Sequence, residues 1–110
     1  WKMINKESPK EYLLSSNIDH SVKDFIDESI KYLELDCTWI IDENEPLNTK
    51  LMYKDYPIIT ISKDYYRPAE VDILKGNCLD TLEALKWKPK ISFSDLVKKM
   101  VINDYNQITK

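Results

Sequence analysis

Residues 20–41 read HSVKDFIDESIKYLELDCTWII, and the pattern of apolar side chains changes partway along them. Val22, Phe25, Ile26, Ile30 and Leu33 return every three or four positions, which places them on one face of a helix. Ser21 stands where a hydroxyl can accept from the first free backbone N–H groups, and Asp24 can reach back to the N–H of Ser21 itself. The spacing therefore predicts a capped amphipathic helix that starts at this point. CTWII, at 37–41, is short, apolar and β-branched, as a strand would be. A helix running straight into a strand makes the fold class α/β of the α+β type, with a small sheet packed by three to four helices.

Working outward, ISFSDLVKKMVINDY at 91–105 repeats the device: Ser92 and Asp95 supply the cap, and Phe93, Leu96, Val97, Met100, Val101 and Tyr105 form the stripe. Pro89 separates this helix from what precedes it. A shorter helix is predicted over 79–85, with Asn77 as cap, Gly76 supplying the turn before it, and Leu79, Leu82 and Leu85 facing inward. Two more strands are expected, at EYLLSS (11–16) and PIITIS (57–62). Residues 42–56, DENEPLNTKLMYKDY, have no clean period and read as a long excursion from the sheet. WKMINKESPK, at 1–10, lacks the apolar core and cleavage residues of a signal peptide, and reads as part of a helix more than as a natural N-terminus.

Composition narrows the function. A chain of 110 residues suits one domain, and its 43% hydrophobic and 32% charged residues, with no apolar run of membrane-spanning length, describe a soluble protein with no membrane role. With a net charge of −3 and lysines interleaved with acids, there is no basic patch for nucleic acid. One histidine and two scattered cysteines do not make a zinc site, and DENEP at 42–46 lacks the ligand spacing and turn glycine of a calcium loop, so no metal is expected. Cys37 and Cys78, in a lysine-rich chain without a secretory signal, are expected as free structural thiols in a cytoplasmic protein. The single glycine excludes a glycine-rich pyrophosphate turn, so this chain alone binds no dinucleotide.

Chemistry concentrates at 64–76, DYYRPAEVDILKG, which holds the only arginine beside fifteen lysines. Arginine presents a planar fork that grips phosphate with two hydrogen bonds, where lysine offers a point charge. Arg67 and Glu70 together supply a donor fork for phosphate and an acceptor for hydroxyl groups, the two things a sugar nucleotide asks of a site. A structural ion pair is the plain alternative for Arg67. Glu70 and Asp72 point to opposite sides if extended, so they make no carboxylate pair for glycoside hydrolysis. His20 and Ser21 are adjacent and do not face one another, and Ser21 serves better as a cap than as a nucleophile.

YYRPAEVDILKGN, followed by LDTLEALKWKPKISFSDLVKKMVINDY, resembles the C-terminal portion of the GDP-mannose 4,6-dehydratases. In that family a Tyr or Phe precedes Arg-Pro-x-Glu-Val, then come Leu-x-Gly-Asp, Leu-Gly-Trp-Lys-Pro and a helix rich in Phe, Leu, Val and Met. Upstream, WKMINKESPKEYLLSSNIDHSVKDF is similar to the family's Trp-x-Met-Leu-Gln helix, Pro-x-x-Tyr-Val strand and His-Ser-Val-Arg-Glu-Phe helix start. Nearly the whole chain is covered, the middle loop least well. The chain departs from the pattern where Ser16, Asn17, Ile18 and Asp19 replace Thr-Gly-Glu-Thr, where Asn77 replaces Asp, and where Lys86 replaces the Gly of Leu-Gly-Trp.

The resemblance implies an extended short-chain dehydrogenase/reductase whose large Rossmann domain binds NADP and whose smaller domain binds the nucleotide sugar. Residues 1–110 resemble only the smaller domain, so the Rossmann domain is expected outside this chain. The family's reaction oxidises C4 of the hexose, eliminates water across C5 and C6, and returns the hydride to C6, giving GDP-4-keto-6-deoxymannose. Its Thr or Ser, Glu, Tyr and Lys catalytic residues belong to the N-terminal portion, and no catalytic residue is assigned here. Arg67 and Glu70 match the family's Arg-Pro-x-Glu, whose arginine and glutamate face the diphosphate and ribose of the GDP-sugar. The implied partners are GDP-mannose or a related GDP-sugar, the Rossmann domain and, in the complete enzyme, further copies of itself. The alternatives are another NDP-sugar epimerase or reductase of the superfamily, or a non-catalytic nucleotide-sugar-binding or interaction module.

Overall fold

Two of the predicted helices begin where the side-chain chemistry places them. The computed structural model describes residues 1–67, 73 and 75–109. Helix α1 spans Val22–Tyr32, with both capping-box bonds between Ser21 and Asp24 formed. The corresponding helix of the C-terminal stretch, which we label α3, spans Phe93–Ile108 and is capped by the Ser92 hydroxyl, which accepts from the Asp95 N–H at 3.1 Å. The short helix between them, α2, spans Leu79–Leu85. Its cap is Cys78, one residue later than expected, and Asn77 still contributes through its side-chain oxygen, which accepts from the Leu79 N–H at 3.3 Å.

The sheet is a three-stranded antiparallel meander in the order β1-β2-β3, with β1 at Cys37–Ile40, β2 at Lys50–Tyr53 and β3 at Tyr56–Thr60. Cys37 pairs with Tyr53 and Ile40 with Lys50, while Leu51 faces Ile59 and Met52 faces Pro57, which leaves Ile58 as the extra residue of a bulge. With three helices and a small sheet, the α+β expectation holds.

Two strand expectations need correction. Residues 11–16 belong to no strand of the described structure. The central strand instead lies inside the stretch read as an excursion, and its Leu51 is fully buried. That excursion is short: Asp42 Oδ1 accepts from the backbone N–H of Asn44 and Glu45, both at 3.0 Å, and a 3₁₀ turn at Pro46–Asn48 returns the chain to β2.

Among the described residues the buried set is small: Leu51, Cys78, Leu85, Val97 and the polar Thr81. Of the stripe predicted for α1, Phe25, Ile26 and Ile30 are half-buried, whereas Val22 and Leu33 stay exposed; on α3, Leu96, Met100 and Tyr105 are exposed as well. The shape agrees. The radius of gyration is 18.8 Å with extents of 60 × 39 × 20 Å, against about 13 Å for a compact domain of this length. Among the described residues no helix is long and apolar enough to cross a membrane.

With one glycine available, other residues take left-handed backbone: Asn17, Glu34, Lys54 and Lys86 have φ between 46° and 62°. Two of these end helices. After α1, Leu35 N–H donates to Ile30 C=O and Glu34 N–H to Lys31 C=O, and after α2, Trp87 N–H donates to Leu82 C=O and Lys86 N–H to Glu83 C=O. Both are Schellman terminations, with Glu34 and Lys86 where glycine is the usual residue. The departures from the family pattern at Asn17 and Lys86 thus fall where a glycine would relax the backbone.

Candidate functional site

Arg67 leaves a short, fixed element. Residues Lys63–Tyr65 form a 3₁₀ turn capped by Ser62, whose hydroxyl accepts from the Asp64 N–H at 3.3 Å, and Tyr66 N–H closes the turn onto Lys63 C=O at 3.2 Å. Tyr66 then turns the chain to extended backbone, φ −70° and ψ 127°. Arg67 is exposed, and so are both tyrosines, Tyr65 at 86% and Tyr66 at 59%. The aromatic rings before the arginine therefore face outward, where a flat ligand could meet them. Glu70 lies outside the described residues, as do Pro68 and Asp72.

The chain is described continuously again from Lys75, and there it is fastened to a remote segment. The Ser15 hydroxyl donates to Gly76 C=O at 2.8 Å and accepts from the Asn17 N–H at 3.1 Å. The Cys78 thiol donates to Ser15 C=O at 3.1 Å, and the Thr81 hydroxyl accepts from the Leu13 N–H at 3.1 Å. Gly76 does not have the left-handed backbone expected of a turn glycine. It permits a close approach instead, because a Cβ there would come within 3.2 Å of Ser15 Cβ. Lys75 and Asp19 add a surface pair at 3.8 Å, both about half exposed, a contact that contributes little. Further along, Lys2 Nζ donates to the carbonyls of Leu85 at 3.0 Å and Lys86 at 2.7 Å, placing a cation on the carbonyl end of α2.

Other residues singled out in the sequence have structural duties. His20 stacks on Phe93 with ring centroids 3.7 Å apart, and the Ser21 hydroxyl accepts from Asp24 N–H, so the two do not form a nucleophile and base. The Ser21 backbone N–H, and secondarily its hydroxyl, hold the Asp24 carboxyl below the usual carboxylate range. Asp42 is lowered chiefly by the backbone N–H of Glu45 and then by the Asn48 amide, so DENEP is an Asp-capped turn. Cys37 and Cys78 are free thiols, the second buried. Among the described residues no three His, Cys, Asp or Glu side chains gather as metal ligands.

The sequence points to Arg67 and gives no sign of the contacts that Ser15, Thr81 and Lys2 make. Their partners lie more than sixty positions away, and no local period marks them. The one available signal was the isolated Gly76, since a glycine outside a turn marks close backbone approach.

Comparison with known proteins bears on the same segments. The sequence profile of the family described as GDP-mannose 4,6 dehydratase matches residues 1–100. The chain is similar to the GDP-mannose 4,6 dehydratase of Homo sapiens, with 33% identity over 105 residues, covering 94% of this chain and 28% of the relative. It is 35% identical over 109 residues to the protein of that name from Dictyostelium discoideum, covering 98% of the chain and 30% of the relative. With GDP-mannose 4,6 dehydratase 1 of Arabidopsis thaliana it shares 38% over 104 residues, covering 94% and 24%. The chain thus spans between 24% and 30% of the length of these curated relatives.

Proposed function

The chain belongs to the GDP-mannose 4,6 dehydratase family, and from that premise we propose that it is the substrate-binding portion of an NADP-dependent GDP-mannose 4,6-dehydratase. That enzyme is a lyase converting GDP-mannose to GDP-4-keto-6-deoxymannose, toward GDP-fucose. In this reading residues 1–110 form the nucleotide-sugar-binding domain, and the Rossmann domain lies outside them. The complete enzyme is a cytoplasmic homo-oligomer, and this portion alone does not turn over substrate.

The observation that supports the reading most is the family match across residues 1–100, a span that includes Tyr66, Arg67, Pro68 and Glu70. Arg67 follows a capped 3₁₀ turn and is exposed, so its guanidinium is presented from a fixed base. Its fork holds the diphosphate by paired, charge-assisted hydrogen bonds, and Glu70 accepts from the ribose hydroxyls. Pro68 biases Arg67 toward extended backbone, which lets residues 67 and 70 serve one ligand. These contacts bind and orient the nucleotide so that the hexose reaches the catalytic residues of the other domain.

NADP does not fit the residues of this chain. The pyrophosphate needs glycines where backbone comes close, and Gly76 is already filled by its approach to Ser15. The cofactor therefore belongs to the Rossmann domain, and no step is assigned to it here.

The test is made in the full-length protein. Arg67→Lys keeps the charge and loses the fork, so the Kd for GDP should rise by the equivalent of about 1–3 kcal/mol, and Glu70→Gln should have a smaller effect. NADP affinity and Tm should not move. A lower Tm with unchanged GDP affinity would make Arg67 a structural ion-pair partner and end the reading.

A further inference from the structure

We infer that Ser62 is a positioning residue for the diphosphate, because its hydroxyl and carbonyl close the single turn from which Arg67 leaves the scaffold; this rests on the reading of Arg67 given above. The tract that joins the two residues is short and continuous. Strand β3 ends at Thr60, whose pairing opposite Lys50 sets the starting point in the sheet, and Ser62 follows two residues later.

Ser62 supplies two acceptors to the turn. Its hydroxyl takes the Asp64 N–H at 3.3 Å, and its C=O takes the Tyr65 N–H, also at 3.3 Å. Tyr66 N–H then donates to Lys63 C=O at 3.2 Å, and the next residue is Arg67. The backbone N–H groups of residues 64, 65 and 66 are thus tied in succession to Ser62 and Lys63. Packing does not fix the turn, since Lys63, Asp64, Tyr65, Tyr66 and Arg67 are all exposed, whereas Ser62 is half-buried. A single 3₁₀ turn has poor hydrogen-bond geometry and little stability of its own, so a side-chain acceptor at its start carries a large share of its order. Without the hydroxyl the Asp64 N–H turns to water, the turn frays, and the backbone at Arg67 ranges more widely. A binding group misplaced by about an ångström weakens a site strongly.

Ser92 provides the control. It caps α3 in the same way, its hydroxyl accepting from the Asp95 N–H at 3.1 Å, but Arg67 does not leave from that helix. Loss of either cap removes the same kind of bond, and only the loss at Ser62 lies on the path to Arg67.

The experiment is isothermal titration of the full-length protein with GDP, at one salt concentration and well below every Tm. Ser62→Ala should raise the Kd about fivefold, the equivalent of one lost cap. Ser62→Asn, which restores a neutral acceptor at the cap, should return most of the affinity, and Ser92→Ala should lower Tm while leaving the Kd within about twofold. Ser62→Gly, which also lacks the acceptor, supplies the test if Ser62→Ala fails to fold. The decisive variant combines Ser62→Ala with Arg67→Ala: with the guanidinium gone there is nothing left to position, so the double variant should bind GDP within about twofold of Arg67→Ala alone. A double variant whose loss is the product of the two single losses would overturn the inference, because Ser62 would then act on binding by another route. So would an unchanged Kd for Ser62→Ala, or equal losses from Ser62→Ala and Ser92→Ala, where Arg67→Lys still weakens binding; in those cases the reading of Arg67 survives. If the unsubstituted protein takes no GDP, or Arg67→Lys leaves its affinity unchanged, the reading itself falls and this inference with it.

Discussion

Between α1 and α3 the contact is made by rings and aliphatic chains: Phe25 meets Phe93 edge-on at 6.4 Å, His20 stacks on the same ring, and Val97 is 1% exposed. One polar bond crosses there at the surface, from the Ser94 hydroxyl to Glu28. The seam between residues 13–17 and 76–81 is built differently, from the hydroxyls of Ser15 and Thr81, the Cys78 thiol and the missing Cβ of Gly76. An apolar contact tolerates small displacements, because dispersion and burial are non-directional. A hydroxyl bridging two backbone groups does not, because its geometry fails within a few tenths of an ångström. The seam is thus the part of the molecule whose geometry is fixed by direction.

The largest effect expected from breaking this comparison is on the helix pair. Val97→Ala should destabilise the protein by about 2–3 kcal/mol through lost burial and the cavity left behind. Thr81→Val on the seam should have the smaller effect of about 1–2 kcal/mol, from the unpaired Leu13 N–H. Urea denaturation of the two variants side by side checks the order. The reverse order would mean that the seam, and not the helix pair, holds the fold together.

The same contrast explains what could be read in advance. The starts of α1 and α3 were legible because a cap and its third-residue acid are local, and the 3.6-residue stripe is visible in any window of fifteen residues or so. Strand β2 was not, because Lys50–Tyr53 is covered to some degree at every position and so does not alternate. Its hairpin turn hides as well: Lys54 takes φ 53° beside Asp55, without the Asn-Gly that announces such turns. Residues 11–16 have the composition of a strand, but what holds their end is Ser15 meeting a carbonyl sixty-one positions away. For the site, residue chemistry picked out Arg67 and Glu70 as a pair and family resemblance gave them a ligand. Ser15, whose hydroxyl holds the Gly76 carbonyl, left no periodic mark.

Acid should act on the apolar side first. Asp24 is held low by the Ser21 backbone N–H and hydroxyl, Asp27 by the Lys23 ammonium and then the Trp39 ring N–H, and Glu28 chiefly by the Ser94 hydroxyl. All three lie on α1. A carboxyl whose folded pKa is depressed contributes stability that is fully present above its unfolded pKa and is lost as pH falls through the folded value. Unfolding free energy should therefore be flat near neutrality and decline as the pH drops below the ordinary carboxylate range, with hydrogen exchange at α1 rising before exchange at Leu13 and Asn17. Asp24→Asn should make the decline shallower. Seam amides that exchange first would reverse the assignment.

The smallest expected effect is a gain. Glu34 and Lys86 end α1 and α2 in left-handed backbone that a residue with a Cβ adopts at about 1–2 kcal/mol. Glycine removes that strain and returns part of the benefit as unfolded-chain entropy, so each replacement should stabilise by about 0.5–1 kcal/mol at most. The two sites should not gain equally. Glu34 places a carboxylate at the negative end of a helix dipole, which glycine relieves, whereas Lys86 places an ammonium at a helix end where cations are favoured, and glycine forfeits that. Glu34→Gly should therefore exceed Lys86→Gly in Tm, and the difference should shrink as salt is added, because the charge contribution is screened and the backbone contribution is not. Glu34→Ala and Lys86→Ala serve as controls, since alanine keeps the Cβ: there only the charge effect remains, positive at 34 and negative at 86. Equal gains from alanine and glycine at either position would show that the charge, and not the left-handed backbone, sets the stability of that helix end.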